Sequence, residues 1–199
     1  ECAILCKMEW EGDSIKNITP KFFAASNDCS IRKDGAKKIS EKKNWGACSK
    51  GLSENQIPIN SFDSYGILGN YRIASFLVRD DSVFDYGEDS AVRDYSYIYE
   101  KLISWITDKL NNQKDEGPAE NIHQYLLECG CPSEVMISIG ATRYTDFGEH
   151  NFLQSGDRAV VVVYPGNKYN HEEISSIVAQ KNYKDSNISV LDQTIILPV

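Results

Sequence analysis

Residues 159–164 read Ala159-Val160-Val161-Val162-Val163-Tyr164, and Pro165-Gly166-Asn167 follows at once. A run of β-branched residues favours an extended chain. It shows no polar alternation, so it leaves no face for water and predicts a central strand buried on both sides. Pro-Gly-Asn ends the strand with turn chemistry. Working outward, Val135-Met136-Ile137-Ser138-Ile139 predicts a second strong strand. Tyr71 to Val78 mixes β-branched and aromatic residues, as a half-buried strand does. Cys2-Ala3-Ile4-Leu5-Cys6 and Ile57-Pro58-Ile59 read as short strands between turns, and Ile188–Leu191 and Thr194–Leu197 as closing strands.

Helical periodicity begins past Asp94. Ile98, Leu102, Trp105, Ile106 and Leu110 recur at three- and four-residue steps, which predicts an amphipathic helix from about Tyr97 to Leu110. Ile122 to Leu127 predicts a short helical turn, and Ile174, Ile177 and Val178 predict a helix over Glu172 to Lys181. The polar stretch from Asn111 reads as a linker. The expected organisation is residues 1–110 as one β-rich region, 111–130 as linker and 131–199 as a second β-rich region.

With 41% hydrophobic and 25% charged residues, the composition is that of a globular chain rather than a disordered one. Twenty-nine acidic against 21 basic residues give a net charge of −8, which argues against nucleic acid as a partner. The basic residues from Arg32 to Lys43 are interrupted by Asp34 and Glu41 and read as a solvated loop. No apolar run reaches the ~18 residues of a membrane span. Six scattered cysteines, Cys2, Cys6, Cys29, Cys48, Cys129 and Cys131, suit disulfides better than a metal site. With the sequons at Asn17 and Asn187 they point to a secreted, extracellular glycoprotein. Asp80, Asp81, Asp85, Glu88 and Asp89 lack the glycine and spacing of a calcium loop and read as an exposed acidic turn. His123, His150 and His171 read as surface residues. No cofactor is expected.

The stretch Asn60-Ser61-Phe62-Asp63-Ser64-Tyr65-Gly66-Ile67-Leu68 resembles the nucleophile loop of trypsin-like serine proteases, Gly-Asp-Ser-Gly-Gly-Pro-Leu, with its catalytic parts altered. Asp63, Ser64, Gly66 and Leu68 keep their places, while Phe62 and Tyr65 replace glycines. Further resemblances follow in the family's order. They are Cys6 to Gly12, Ala47 to Gly51, Ile73 to Phe76, and Tyr99 to Ile106, which is similar to the family's closing helix. After the linker, Cys129-Gly130-Cys131, Val135 to Gly140, Val160 to Tyr169 and Asn187 to Leu191 loosely resemble the linker and N-terminal barrel of that family.

The resemblance implies an all-β fold of antiparallel trypsin-like β-barrels with a helix ending the first half. It also implies lost catalysis. Phe62 stands where a glycine frees the oxyanion-binding backbone, no histidine has the family's context, and Asn187 replaces the orienting aspartate. Pro58 and Leu77 would rebuild the specificity pocket. It implies that Cys29 and Cys48 are bonded, and that Cys2 or Cys6 reaches Cys129 or Cys131. The expected function is a catalytically inactive homologue, not an enzyme, that binds proteases or other components of an immune or clotting cascade. Two alternatives stand beside it: an active serine hydrolase using Ser64 with a base from another chain, and an unrelated α/β interaction or structural domain.

Overall fold

The computed structural model describes residues 1–31 and 33–196. The valine run is the strand β8 (Arg158–Pro165), and both of its faces are buried. Alternate residues point to opposite sides of a strand, so Val161 and Val163 enter one core while Val160, Val162 and Tyr164 enter another. Strand β5 (Tyr71–Arg79) pairs antiparallel with β8 and divides its side chains the same way.

Two antiparallel sheets carry the fold. In the first, β1 (Cys2–Glu11) and β2 (Ser14–Asp28) form a long hairpin; β3 (Lys50–Leu52) and β4 (Ile57–Pro58) pair with β2, and β7 (Glu134–Gly140) pairs with the other edge of β1. The hairpin alternates as a half-buried ladder should, with Cys2, Ile4, Cys6 and Met8 inward and Lys7 and Glu9 outward. Pro20 sits inside β2 where the register slips between Leu5 and Cys6. A bulge is where a residue without an N–H does least harm to a ladder. In the second sheet the order is β6 (Ser82–Ala91), β5, β8 and β9 (Ser189–Thr194). The β5–β6 turn is made by Asp80 and Asp81, at φ 49° and 61°. Two successive left-handed residues make the tight hairpin turn, and aspartate tolerates that region better than bulkier residues do.

The sheets pack face to face over the first core, where Phe23 of β2 meets Tyr71 of β5 edge to face at 4.7 Å. The long helix α2 (Tyr99–Asn112) adds Leu102 and Ile106 to that core. The outer face of the second sheet is covered by α5 (His171–Gln180) through Ile174 and Val178. That helix starts in a capping box, with Asn170 and Glu173 bonding each other's backbone N–H. The shorter helices are α1 (Ser40–Lys43), α3 (Ile122–Glu128) and α4 (Asp146–His150).

The antiparallel, mostly β character and the helix at the end of the first half match expectation. The barrels are corrected: neither sheet closes, because β6 and β9 stand at opposite edges of one sheet while β7 and the β3/β4 edge bound the other. An all-β description also leaves out α5, which seals one face of the second sheet. The segment 111–130 does not separate two sheets, since β1 pairs with β7 and β5 with β8 across it. The closing strand expected at Ile188–Leu191 is β9; the one expected at Thr194–Leu197 does not form over Ile195 and Ile196, and Leu197 lies outside the described residues. Among the described residues no helix is long and apolar enough to cross a membrane.

Two polar links tie this apolar frame. Ser189 Oγ, fully buried, accepts from the Ala25 N–H at 2.9 Å and donates to the Asn55 carbonyl at 2.7 Å, joining the sheets. Asp157, 3% exposed, accepts from Arg79 Nε at 2.8 Å and Nη2 at 2.6 Å and from the Gln154 N–H at 2.7 Å. Hydrogen bonds from Arg79 hold its carboxyl below the usual range, despite burial. A depressed carboxylate stabilises the fold above its unfolded pKa, and that contribution is lost as pH falls through the folded value. Asp157→Asn is therefore expected to lower the unfolding free energy by about 2–3 kcal/mol at neutral pH, and by less at a pH low enough to protonate the folded carboxylate. Urea midpoints of both proteins at the two pH values check this.

Candidate functional site

Strand pairing at the end of the first sheet brings together three charged side chains that are 7 to 22 residues apart in sequence. Strand β3 lies against the end of β2 with Asp28 opposite Lys50. Opposite charges facing each other across a ladder attract directly. The described residues of 29–49, between these strands, fold back as a flap carrying α1, and Lys43 in its last turn returns to the same carboxylate. Lys43 Nζ donates to the Asp28 carbonyl at 2.7 Å and lies 3.1 Å from Oδ2. Lys50 Nζ donates to Asp28 Oδ1 and, at 2.8 Å, to the Lys43 carbonyl.

The flap is held at several points. Trp45 Nε1 donates to the Cys29 carbonyl at 3.0 Å, and Ser49 Oγ to the Gly46 carbonyl at 2.6 Å. Lys38 bonds the Asp115 carboxylate and, at 2.7 Å, the Ala119 carbonyl, while Ser40 Oγ donates to Glu120 at 2.8 Å. Gly51 lies against the Gln193 side chain, which an added Cβ would meet at 2.7 Å. Gln193 in turn accepts from Asn27 Nδ2 at 3.0 Å, so the second sheet braces the end of β2. The Glu1 carboxylate is held on the far side of β1 by Ser138 Oγ of β7.

The electrostatics follow from this packing. Asp28 is partly buried, with 27% of its side chain exposed, and two ammonium groups face its single carboxylate. Each ammonium has three N–H donors. Lys43 and Lys50 each use two on the contacts above, so among the described residues each retains one. Beside them the Cys29 thiol is pushed up by burial first and by the Asp28 carboxylate second, against the opposing pull of the two lysines.

The residues singled out in the sequence do not converge into one site. Asp63 is engaged within its own turn: its carboxylate accepts from Ser61 Oγ, from the Tyr65 N–H at 2.8 Å and from the Gly66 N–H at 3.0 Å. Those bonds, the Ser61 hydroxyl first, hold its carboxyl below the usual range. Gly66 is needed for space, since an added Cβ would lie 1.9 Å from the Ser61 carbonyl oxygen. Phe62 packs edge-on against Tyr99 at 5.5 Å, Ser64 is exposed, and Tyr65 is 95% exposed. The histidines bond elsewhere, His123 with the Leu110 carbonyl, His150 with that of Asp146 and His171 with the Asp85 carboxylate. Pro58 is exposed at the edge of the first sheet, and Leu77 is fully buried in the second. Asn187 is bound to Asp185 Oδ1 at 2.7 Å, and Asn17 to Thr19 Oγ1 at 3.1 Å.

All six cysteines are unpaired in the structure. Cys2 and Cys6 point into the first core, and burial pushes both thiols up to about 12. Among the described residues no group of three or more His, Cys, Asp or Glu side chains converges to hold a metal ion. Sequence reasoning missed Asp28, Lys43 and Lys50. Lys43 falls in the stretch that reads as a solvated loop and Lys50 in the Ala47–Gly51 resemblance, and the usable signal is an aspartate ending one strand with a lysine opening the next.

A model of the family of unknown function DUF5718 matches residues 1–195. The chain belongs to that family. No curated protein and no solved structure matches it. The candidate cluster lies within a family match that spans nearly the whole chain.

Thiol reactivity follows accessible thiolate. A maleimide added to the native protein is expected to modify the exposed Cys48 and Cys129 quickly, and Cys2 and Cys6 only after denaturation. Peptide mapping without reductant reads both this and any pairing of Cys29 with Cys48.

Proposed function

We propose that this chain binds a small anionic ligand, carboxylate-bearing in the first instance, under the 29–49 flap, with Asp28 placed to act as a base on it. The observation that carries the reading is Asp28 bracketed by Lys43 and Lys50, which come from two different elements. Two ammonium groups against one carboxylate leave the cluster net positive in a chain of net charge −8. The N–H that each lysine retains offers a two-point hold for an anion with two oxygens. A ligand that draws the ammonium groups towards itself frees the carboxylate between them. The flap anchors at Lys38 and Ser40 support a lid over such a site.

Oxalate serves as the probe, with binding read by calorimetry at low salt. Lys43→Ala and Lys50→Ala are each expected to weaken oxalate binding by roughly tenfold or more, since a charge-assisted hydrogen bond contributes about 1.5–3 kcal/mol. Asp28→Asn is expected to leave binding in place or strengthen it while removing the base. Undiminished affinity in both lysine variants overturns the reading.

A second reading concerns residues 60–66, and the observation favouring it is Asp63 engaged in its own turn beside an exposed Tyr65. Here the loop is a recognition surface for a protein partner, as the resemblance to non-catalytic trypsin-like proteins implied, and the extracellular regulatory role belongs with this reading. A fluorophosphonate probe is then expected to leave Ser64 unmodified.

A further inference from the structure

A cleft of ≈ 490 Å³ opens on the opposite side of the second sheet, between the end of β8 and the start of α5. Arg72, Asp89, Tyr164, Lys168, Tyr169 and His171 are among the residues lining it. The volume falls in the range of small-molecule sites, about 300–1,000 Å³. Cations and carboxylates alternate around it. Arg72 Nε donates to both Asp89 oxygens, at 3.1 and 3.0 Å, and Lys168 and Tyr169 share Asp185. An anion placed there would face Asp89, and a cation would face Arg72 and Lys168.

Two polar atoms bordering the cleft have no hydrogen-bond partner among the described residues. They are Tyr164 Oη, on a side chain 0% exposed, and His171 Nδ1. Buried polar groups are nearly always partnered, so two orphans on the wall of one cleft call for a reason. Their chemistry differs. Burial pushes the Tyr164 phenol up, and so does the Asp89 carboxylate, which with Arg72 lies near Oη without a well-directed hydrogen bond to it; the phenol stays a donor. His171 lies stacked on Phe76 with Nε2 2.8 Å from Asp85 Oδ1, and Nδ1 is 3.9 Å from Asp89, beyond hydrogen-bond reach. In the tautomer that gives its Nε2 proton to Asp85, the ring presents Nδ1 as an acceptor. A carboxylate can accept from Tyr164 but has nothing to donate to His171. An ammonium can donate to His171 but cannot accept from Tyr164. A hydroxyl does both.

We propose that this cleft binds a small neutral polyhydroxylated ligand, of the chemical class of sugars and polyols, one hydroxyl of which bridges Tyr164 Oη and His171 Nδ1. The half-exposed Arg72 stem, which lies across Gly166 (an added Cβ there would meet Arg72 Cδ at 2.6 Å), moves aside to admit it. Arg72, Asp89 and Asn167 then supply donors and acceptors for the neighbouring hydroxyls, and Tyr169 supplies a ring face. This site is separate from the Lys43–Lys50 cluster and does not depend on the reading of that cluster.

Saturation-transfer NMR on the full chain tests the proposal with myo-inositol, glucose and methyl α-glucoside as probes. Signal from at least one of the three, undisturbed by oxalate, is expected. Glucose without its methyl glycoside indicates a free sugar as the source, and both together indicate a glycan end. Tyr164→Phe is expected to weaken binding about three- to tenfold, the effect of one neutral hydrogen bond. The same change is expected to leave the thermal midpoint unchanged or raise it, because it deletes an unsatisfied hydroxyl. Three results overturn the proposal. One is no transfer from any probe at about 50 mM, which is weaker than the millimolar end of ordinary affinities. Another is equal affinity in Tyr164→Phe. The third is a midpoint lowered by more than about 5 °C, which places the hydroxyl in a satisfied network with Asp89 and Arg72.

Discussion

The rest of the structure depends on a strand that has no side left for water. Val160 to Tyr164 is buried on both faces. One face must therefore be closed by a second sheet and the other by a helix. The β1–β2 hairpin supplies the first cover and α5 the second. Full burial of a valine stabilises by about 1.5 kcal/mol or more, so uncovering either face would expose several such side chains at once. The constraint demands two covers, and the chain meets it with the layer order sheet, sheet and helix.

That much was legible from the residues. The valine run announced a central strand, the Ile98–Leu110 spacing announced α2, and Ile174 and Val178 announced the buried side of α5. These signals are local, because each rests on side chains within a turn or a strand length. Pairing partners were not legible. Nothing near Cys2 says that β1 pairs with residues beyond 130, and two regions that look separable along the chain interleave in space. The reach of β1 and β2 was also understated. Beyond Cys6 the chain carries Lys7, Glu9 and Lys16 on its outer face, and a charged alternation reads as loop unless the inner residues Met8, Ile15 and Ile18 are counted with it.

The candidate site shows the same division. Single residues and their chemistry could be read, but their assembly could not. The Asp63–Ser64 loop drew attention because its residue types match a catalytic pattern, yet its carboxylate is spent on closing its own turn. Asp28 and Lys50 carry no motif, and only the β2–β3 register makes them neighbours. Lys43 arrives through a flap whose path is set by Glu120 and Asp115, some eighty residues further on. Charge placed by register is invisible to any reading that moves along the chain one window at a time.

The place of β1, between β2 and β7, also bears on how the molecule is made. Its hairpin with β2 closes over a two-residue turn and needs only local chain. Its other edge waits for Glu134–Gly140, which emerges more than a hundred residues later during synthesis. Until then that edge offers open backbone N–H and C=O groups to any passing strand. Lys7, which β7 meets at Glu134, and Glu9, just beyond the paired stretch, lie at one end of that edge, and charged side chains discourage a stray partner from docking there. The same two residues that hid the strand from a sequence reader thus guard it while the nascent chain is still incomplete.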